Sequence, residues 1–151
     1  MKTARLAGFA TRVLGLAIDL AILDVAALAL GGALAWGANF LGVEVSPSTP
    51  VVAGLAAAGW IVLISNYLVL FWYLTGQTPG MRFMGIRVTD RYGATPGLMR
   101  SLRRLVGMYL SAIPAGAGFL LVLVDDRRRG LHDRLAGTLV THAASTKREA
   151  G

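Results

Sequence analysis

Cysteine is absent from the 151 residues of this chain, so neither a disulfide framework nor thiol chemistry is available to it. Charge is scarce as well: 15% of residues are Asp, Glu, Lys or Arg, where a soluble domain carries roughly a quarter. No Lys or Arg occurs between Val13 and Met81. In a chain that is 55% hydrophobic with mean hydropathy +0.60, such a stretch excludes an ordinary water-soluble domain and points to an integral membrane protein. Several catalytic signatures are missing too. There is no His-Glu-x-x-His, no Gly-Lys-Ser/Thr phosphate loop and no Gly-x-Ser-x-Gly elbow. Without a nucleophile–base set or metal-ligand spacing, the chain is expected not to be an enzyme and to use no metal or other cofactor.

The charge that is present is unevenly placed. Net charge is +7; three of the fifteen cations precede Val13, six fall between Arg82 and Arg104, and six follow Asp125. Gly37–Pro50, between the two long apolar runs, holds Glu44 and no cation. By the positive-inside rule the N-terminus and the Arg82–Arg104 region face the cytoplasm, and Gly37–Pro50 lies outside. The cations flank spans as membrane-proximal arginines do, so no nucleic-acid partner is expected despite the basic pI.

The first span is read from Val13 to about Ala38 and the second over Val51–Leu74, long enough at about 36 Å to cross a core of roughly 30 Å. Ser46-Pro47-Ser48-Thr49-Pro50 punctuates the turn between them. Ala33-Leu34-Ala35 resembles a signal-cleavage site, but the apolar run is long and carries two aspartates, so a retained span is expected. Trp36 at one end, and Trp72 with Tyr73 at the other, fit interfacial aromatic belts. Gly31, Gly32, Gly54 and Ala58 would let the two backbones approach closely. Beyond the turn-rich Thr75–Gly80, Gly85–Asp90 alternates as a short strand does, and Gly137–Thr141 could pair with it. Arg100, Arg103 and Arg104 share a helical face opposite Leu98, Leu102 and Leu105, which predicts an interfacial helix with arginines at lipid headgroups. The third apolar run, Leu105–Val124, is interrupted at Ile113–Gly118. A re-entrant hairpin is favoured over a full span, because crossing would carry the later arginines outside. The expected class is an all-α membrane protein with two spans, a broken third apolar segment and a small cytoplasmic β-hairpin-like element. Residues 1–143 form its domain and 144–151 a disordered polar tail.

Two carboxylates interrupt the first span. A charge near mid-membrane costs about 3 kcal/mol on insertion scales, so Asp19 needs a partner or water. Arg12, at the mouth of the span, is about 20° away around a helix and roughly 10 Å along it, too far for direct contact without a bend. Asn66 on the second span lies at matching depth, and an Asp19–Asn66 contact is the expected way to satisfy the carboxylate. Asp19 then reads equally as a proton or cation ligand or as a packing device. Asp24, rotated about 140° away, reads first as a packing or register residue. The other dense polar cluster holds Asp125, Asp126, Arg128, Arg129 and His132. It predicts a surface ion network or a lock on the cytoplasmic loop, with His132 as a hydrogen-bonded surface residue.

Three ordered motifs resemble the RDD family of membrane proteins: Gly8-Phe9-Ala10-Thr11-Arg12 with Ile18-Asp19; Thr78-Pro79-Gly80-Met81 with Gly85-Ile86-Arg87-Val88; and Arg128 through Thr138, containing Leu131-His132-Asp133. The resemblance covers Gly8 to about Val140. It implies that Arg12, Asp19 and Asp133 are the arginine and two aspartates of the family's name. Met81 stands where the family usually has a lysine. The resemblance further implies a multi-pass protein of the bacterial inner membrane, with transport proposed and cation/proton exchange suggested for some members. Two spans are too thin to enclose a path, so transport of ions or small solutes would require a homo-oligomer. An accessory or assembly subunit of a larger membrane complex is the alternative.

Overall fold

A computed structural model describes residues 6–43, 50–113, 117–125 and 128–143. Two long helices dominate it: α1, Phe9–Phe40, and α2, Pro50–Leu74. Both are apolar enough to cross a membrane, and at 32 and 25 residues they reach about 48 and 38 Å. Pro50 opens α2, where its missing N–H costs nothing. A short helix α3, Pro79–Phe83, follows, capped by the Thr78 hydroxyl on the Met81 N–H.

Strand β1, Ile86–Asp90, pairs antiparallel with β2, Thr138–His142, with Val88 opposite Val140. The expected pairing of the two segments is therefore present. Leu6 adds an isolated bridge to Thr141, and the Ala7 N–H donates to the Val140 carbonyl at 2.9 Å. Under this sheet end lies the core: Ala7, Leu68, Trp72, Ile86, Val88 and Val140. Trp72 is thus a core residue rather than part of an interfacial belt, whereas Trp36 is exposed.

Between the strands run α4, Leu98–Ala112; α5, Ala117–Val124; and α6, Leu131–Ala136. The expected interfacial helix and the first arm of the third apolar segment are one continuous helix, α4. That segment is broken, as expected, with helix ending near Ile113 and resuming at Ala117. The tips of α4 and α5 approach so closely that a Cβ on Gly118 would meet Ser111 at 2.7 Å. Residues 114–116 of the expected break, 44–49 of the inter-span turn, Asp126 and the tail from 144 lie outside the described residues.

The amphipathicity of α4 is inverted relative to a soluble helix. Ser101, Arg104, Gly107 and Ser111 are buried, while Leu98, Met99, Leu102, Val106 and Leu110 face outward. Such a face suits lipid better than water. Gly107 lets α6 come close: a Cβ there would meet the His132 Cα at 2.6 Å.

The far ends of α1 and α2 are bare. From Asp24 onward α1 has no buried residue, and α2 has none before Leu68. Nothing lies within 4 Å of a Cβ placed on Gly31, Gly32, Gly37, Gly54 or Gly59. The expected close approach at Gly31, Gly32 and Gly54 is therefore absent within one chain. Their small side chains leave these faces open instead.

Candidate functional site

Asp19 is 2% exposed and held by three donors from two other elements. The Tyr67 hydroxyl of α2 donates to Oδ1 at 2.7 Å, as does the Gly80 N–H of α3, and the Thr78 hydroxyl donates to Oδ2. Gly80 is required for the approach, since a Cβ there would sit 2.1 Å from the Gly15 carbonyl oxygen and 2.8 Å from the Asp19 carboxyl carbon. The expected Asp19–Asn66 contact does not form. Asn66 is exposed and its amide turns back onto the Val62 carbonyl of its own helix at 2.8 Å, which satisfies it more locally. The neighbouring Tyr67 takes the place assigned to it. Ser65 instead ties α2 to α4, 2.6 Å from the Tyr109 hydroxyl.

Arg12 bonds not to Asp19 but to residues far along the sequence. Its guanidinium pairs with Asp133, donates to the Arg128 carbonyl at 2.7 Å and touches the Ala7 carbonyl at 3.4 Å. Arg128 offers that carbonyl from a left-handed backbone, φ +48°. Asp133, fully buried, also accepts from Arg104 and from the Gly130 N–H at 3.2 Å, capping the start of α6. Arg104 further donates to the Thr138 hydroxyl at 3.0 Å and lies 4.8 Å from the centre of the Trp72 ring. One carboxylate thus clasps two guanidiniums from α1 and α4. Breaking such a buried pair by removing one partner typically costs about 3–5 kcal/mol, because a charge is stranded.

This arrangement corrects the headgroup reading of α4. Arg104 is 3% exposed and belongs to the clasp, Arg100 pairs with Asp90 at 2.7 Å, and only Arg103 of the three stays exposed. Hydrogen bonds from Arg100 and the turn N–H groups of Tyr92 and Ala94 outweigh the opposing effect of burial and lower the Asp90 pKa. His132 is likewise buried rather than a surface residue, its ring 5.4 Å from that of Phe119. Burial, then the charge of Arg104, pushes its imidazole down to about 3, so it is neutral beside Asp133. Burial alone would raise the Asp133 carboxyl, but Arg104 and Arg12 hold it at about 2. The surface network does exist around Asp125, which accepts from Arg129 at 3.0 Å and from Arg134; hydrogen bonds from Arg129 hold its carboxyl below the usual range. Arg128 contributes its backbone carbonyl to the clasp, and its guanidinium forms no ion pair among the described residues.

Between the Asp19 knot and the clasp lies a cavity of about 220 Å³. Arg12, Asp19, Arg104 and His132 contribute to its wall, with Trp72 and Phe119 among the apolar residues. Among the described residues, Trp72 Nε1, Arg104 Nε and His132 Nδ1 are buried without a hydrogen-bond partner. No group of three or more His, Cys, Asp or Glu gathers among the described residues.

Two helices long and apolar enough to cross a membrane, tied at one end by an aspartate knot and an arginine–aspartate clasp, define the class: a mostly helical protein with two candidate spans. The RDD family model matches residues 6–137, and the chain belongs to that family. Among similar proteins, uncharacterized protein RP437 of Rickettsia prowazekii (strain Madrid E) is 31% identical over 80 residues, covering 53% of this chain and 44% of that protein. Uncharacterized protein YckC of Bacillus subtilis (strain 168) is 34% identical over 94 residues, 59% of this chain and 61% of that one. The chain therefore spans about half the length of the curated relatives it matches. No solved structure matches it.

Proposed function

We propose that this chain is one protomer of an oligomer that moves ions or small solutes across the bacterial inner membrane. Asp24 carries the reading. It sits midway along the 32-residue α1, is exposed, and makes no hydrogen bond or ion pair with any described residue. A carboxylate at that depth requires water or a partner, and intramembrane acids of this kind mark ion and proton paths. Asp19 and Asp133, by contrast, are satisfied inside the protomer and act as structural ties. Packing the bare faces of α1 around a hydrated interface would serve Asp24 and complete a path that one chain cannot enclose. In this reading the N-terminus and sheet end are cytoplasmic, α4 and α5 form a re-entrant hairpin, and the protein is not an enzyme.

The test is ion or proton flux in proteoliposomes, with stoichiometry read by native mass spectrometry. Asp24→Asn is expected to reduce flux at least tenfold while insertion and melting stay as in the parent. Unchanged flux in Asp24→Asn, or a strictly monomeric chain, would sink the reading.

A second reading, an accessory subunit of a larger membrane complex, draws on the same bare faces. Co-purification of a stoichiometric larger partner in mild detergent would favour it, and a self-contained homo-oligomer would exclude it.

A further inference from the structure

A second concavity, of about 310 Å³, lies where α2 ends, away from the cavity beside Asp19. Its lining includes Phe71, Thr75, Gln77, Thr78, Arg82 and Arg87 and contains two cations and no carboxylate. Neither arginine forms an ion pair among the described residues, unlike Arg12, Arg100, Arg104, Arg129 and Arg134. The Nε of Arg87 is buried without a hydrogen-bond partner. Asp19 lies behind Thr78, with its oxygens turned to Tyr67, Thr78 and Gly80, and does not line this groove.

The walls are fixed before any ligand arrives. The Val88 N–H donates to the Gly76 carbonyl at 2.8 Å, and the Gln77 amide donates to the Ile86 carbonyl at 2.8 Å. The Thr75 hydroxyl bridges the Phe71 and Gln77 carbonyls. Residues next in sequence to the lining are apolar and exposed: Phe83 after Arg82 is 82% exposed, and Tyr73 and Leu74 before Thr75 are exposed. Two guanidiniums without an ion pair among the described residues call for an oxyanion, and exposed Leu74 at the end of α2 with exposed Phe83 at the end of α3 call for acyl chains. A phospholipid supplies both at the headgroup level, where each cation near an anionic surface is favoured.

We propose that this groove binds the phosphate of an anionic phospholipid, with Arg82 and Arg87 as its ligands. The test measures lipid affinity of the full chain by native mass spectrometry, using phosphatidylglycerol, phosphatidylcholine and inorganic phosphate as probes. Phosphatidylglycerol is expected to bind in preference to phosphatidylcholine, and millimolar phosphate to leave it in place. Arg82→Gln and Arg87→Gln should each weaken that binding about tenfold, as loss of a charged hydrogen bond does. Arg103→Gln, which removes an exposed arginine elsewhere, should change it less than twofold. Arg82 is exposed, so Arg82→Gln leaves the core intact and decides the matter even if Arg87→Gln misfolds. Equal losses in Arg82→Gln and Arg103→Gln would mean diffuse charge attraction and overturn the site. Displacement by inorganic phosphate would overturn the lipid as its ligand.

Discussion

The two ends of this molecule follow opposite rules. At the sheet end, every α-helix contributes to a packed unit in which aspartates are buried, each bonded to several donors. At the far end, the same α1 and α2 present Leu28, Leu34, Leu55 and Val62 to their surroundings, and a Cβ on Gly31, Gly32, Gly54 or Gly59 would meet nothing within 4 Å. This division locates where the fold is specified. Apolar surface earns no stability by association inside lipid, so order in this fold comes from hydrogen-bonded and ionic ties and from close backbone contact. Those ties sit at one end.

The sharpest way to break the contrast is to cut the clasp. Asp133→Asn strands Arg12 and Arg104 with half their acceptor strength, and a loss of about 3–5 kcal/mol is expected. Thermal melting in detergent micelles checks it, and a change below about 1 kcal/mol would remove the clasp from the account. Next in size is a paired glycine test. Gly80→Ala drives a methyl into the Gly15 carbonyl and Asp19, which forces backbone movement and costs about 1–3 kcal/mol. Gly54→Ala meets open space and should be neutral or stabilising by up to about 1 kcal/mol through helix propensity. Equal effects at both positions would erase the distinction between the ends.

Acid supplies the most graded test. The folded His132 titrates at about 3 against an ordinary 6.5, so between those values the unfolded chain holds a proton that the folded one refuses. Stability therefore falls as pH drops below about 6.5, by up to about 1.4 kcal/mol per unit. Asp133, depressed from 3.8 to about 2, adds its own loss only as pH falls through that lower window. His132→Gln should flatten the slope of melting temperature against pH between 4 and 6.5 without touching the helicity of the spans. A slope unchanged by the substitution would place the acid sensitivity elsewhere.

Much of this was legible from residue pattern. The two spans, the strand pairing and the interruption of the third apolar run follow from hydropathy, alternation and the Pro-Gly break, all of which are local signals. Partnership was not. Depth along a helix selected Asn66 for Asp19, but depth ignores rotation, and Tyr67 one position on faces the carboxylate. Arg104 read as a headgroup ligand because a basic stripe opposite leucines suggests water on the polar side; here the polar side is the interior and the leucines face out. The Thr78-Pro79-Gly80 motif did contain the answer for Asp19, since a hydroxyl, a helix-opening proline and a residue without Cβ are what a buried carboxylate needs to be met by α3.

The clasp joins residues 121 positions apart, Arg12 from the first helix and Asp133 from the last. During synthesis the N-terminal guanidinium is in place long before its carboxylate exists, and Arg104 waits 29 residues for the same group. Both stay without their shared acceptor until residue 133 has been added. Only then can one acid draw the two inward, so the fold closes as a purse does, with a late stitch pulling an early one.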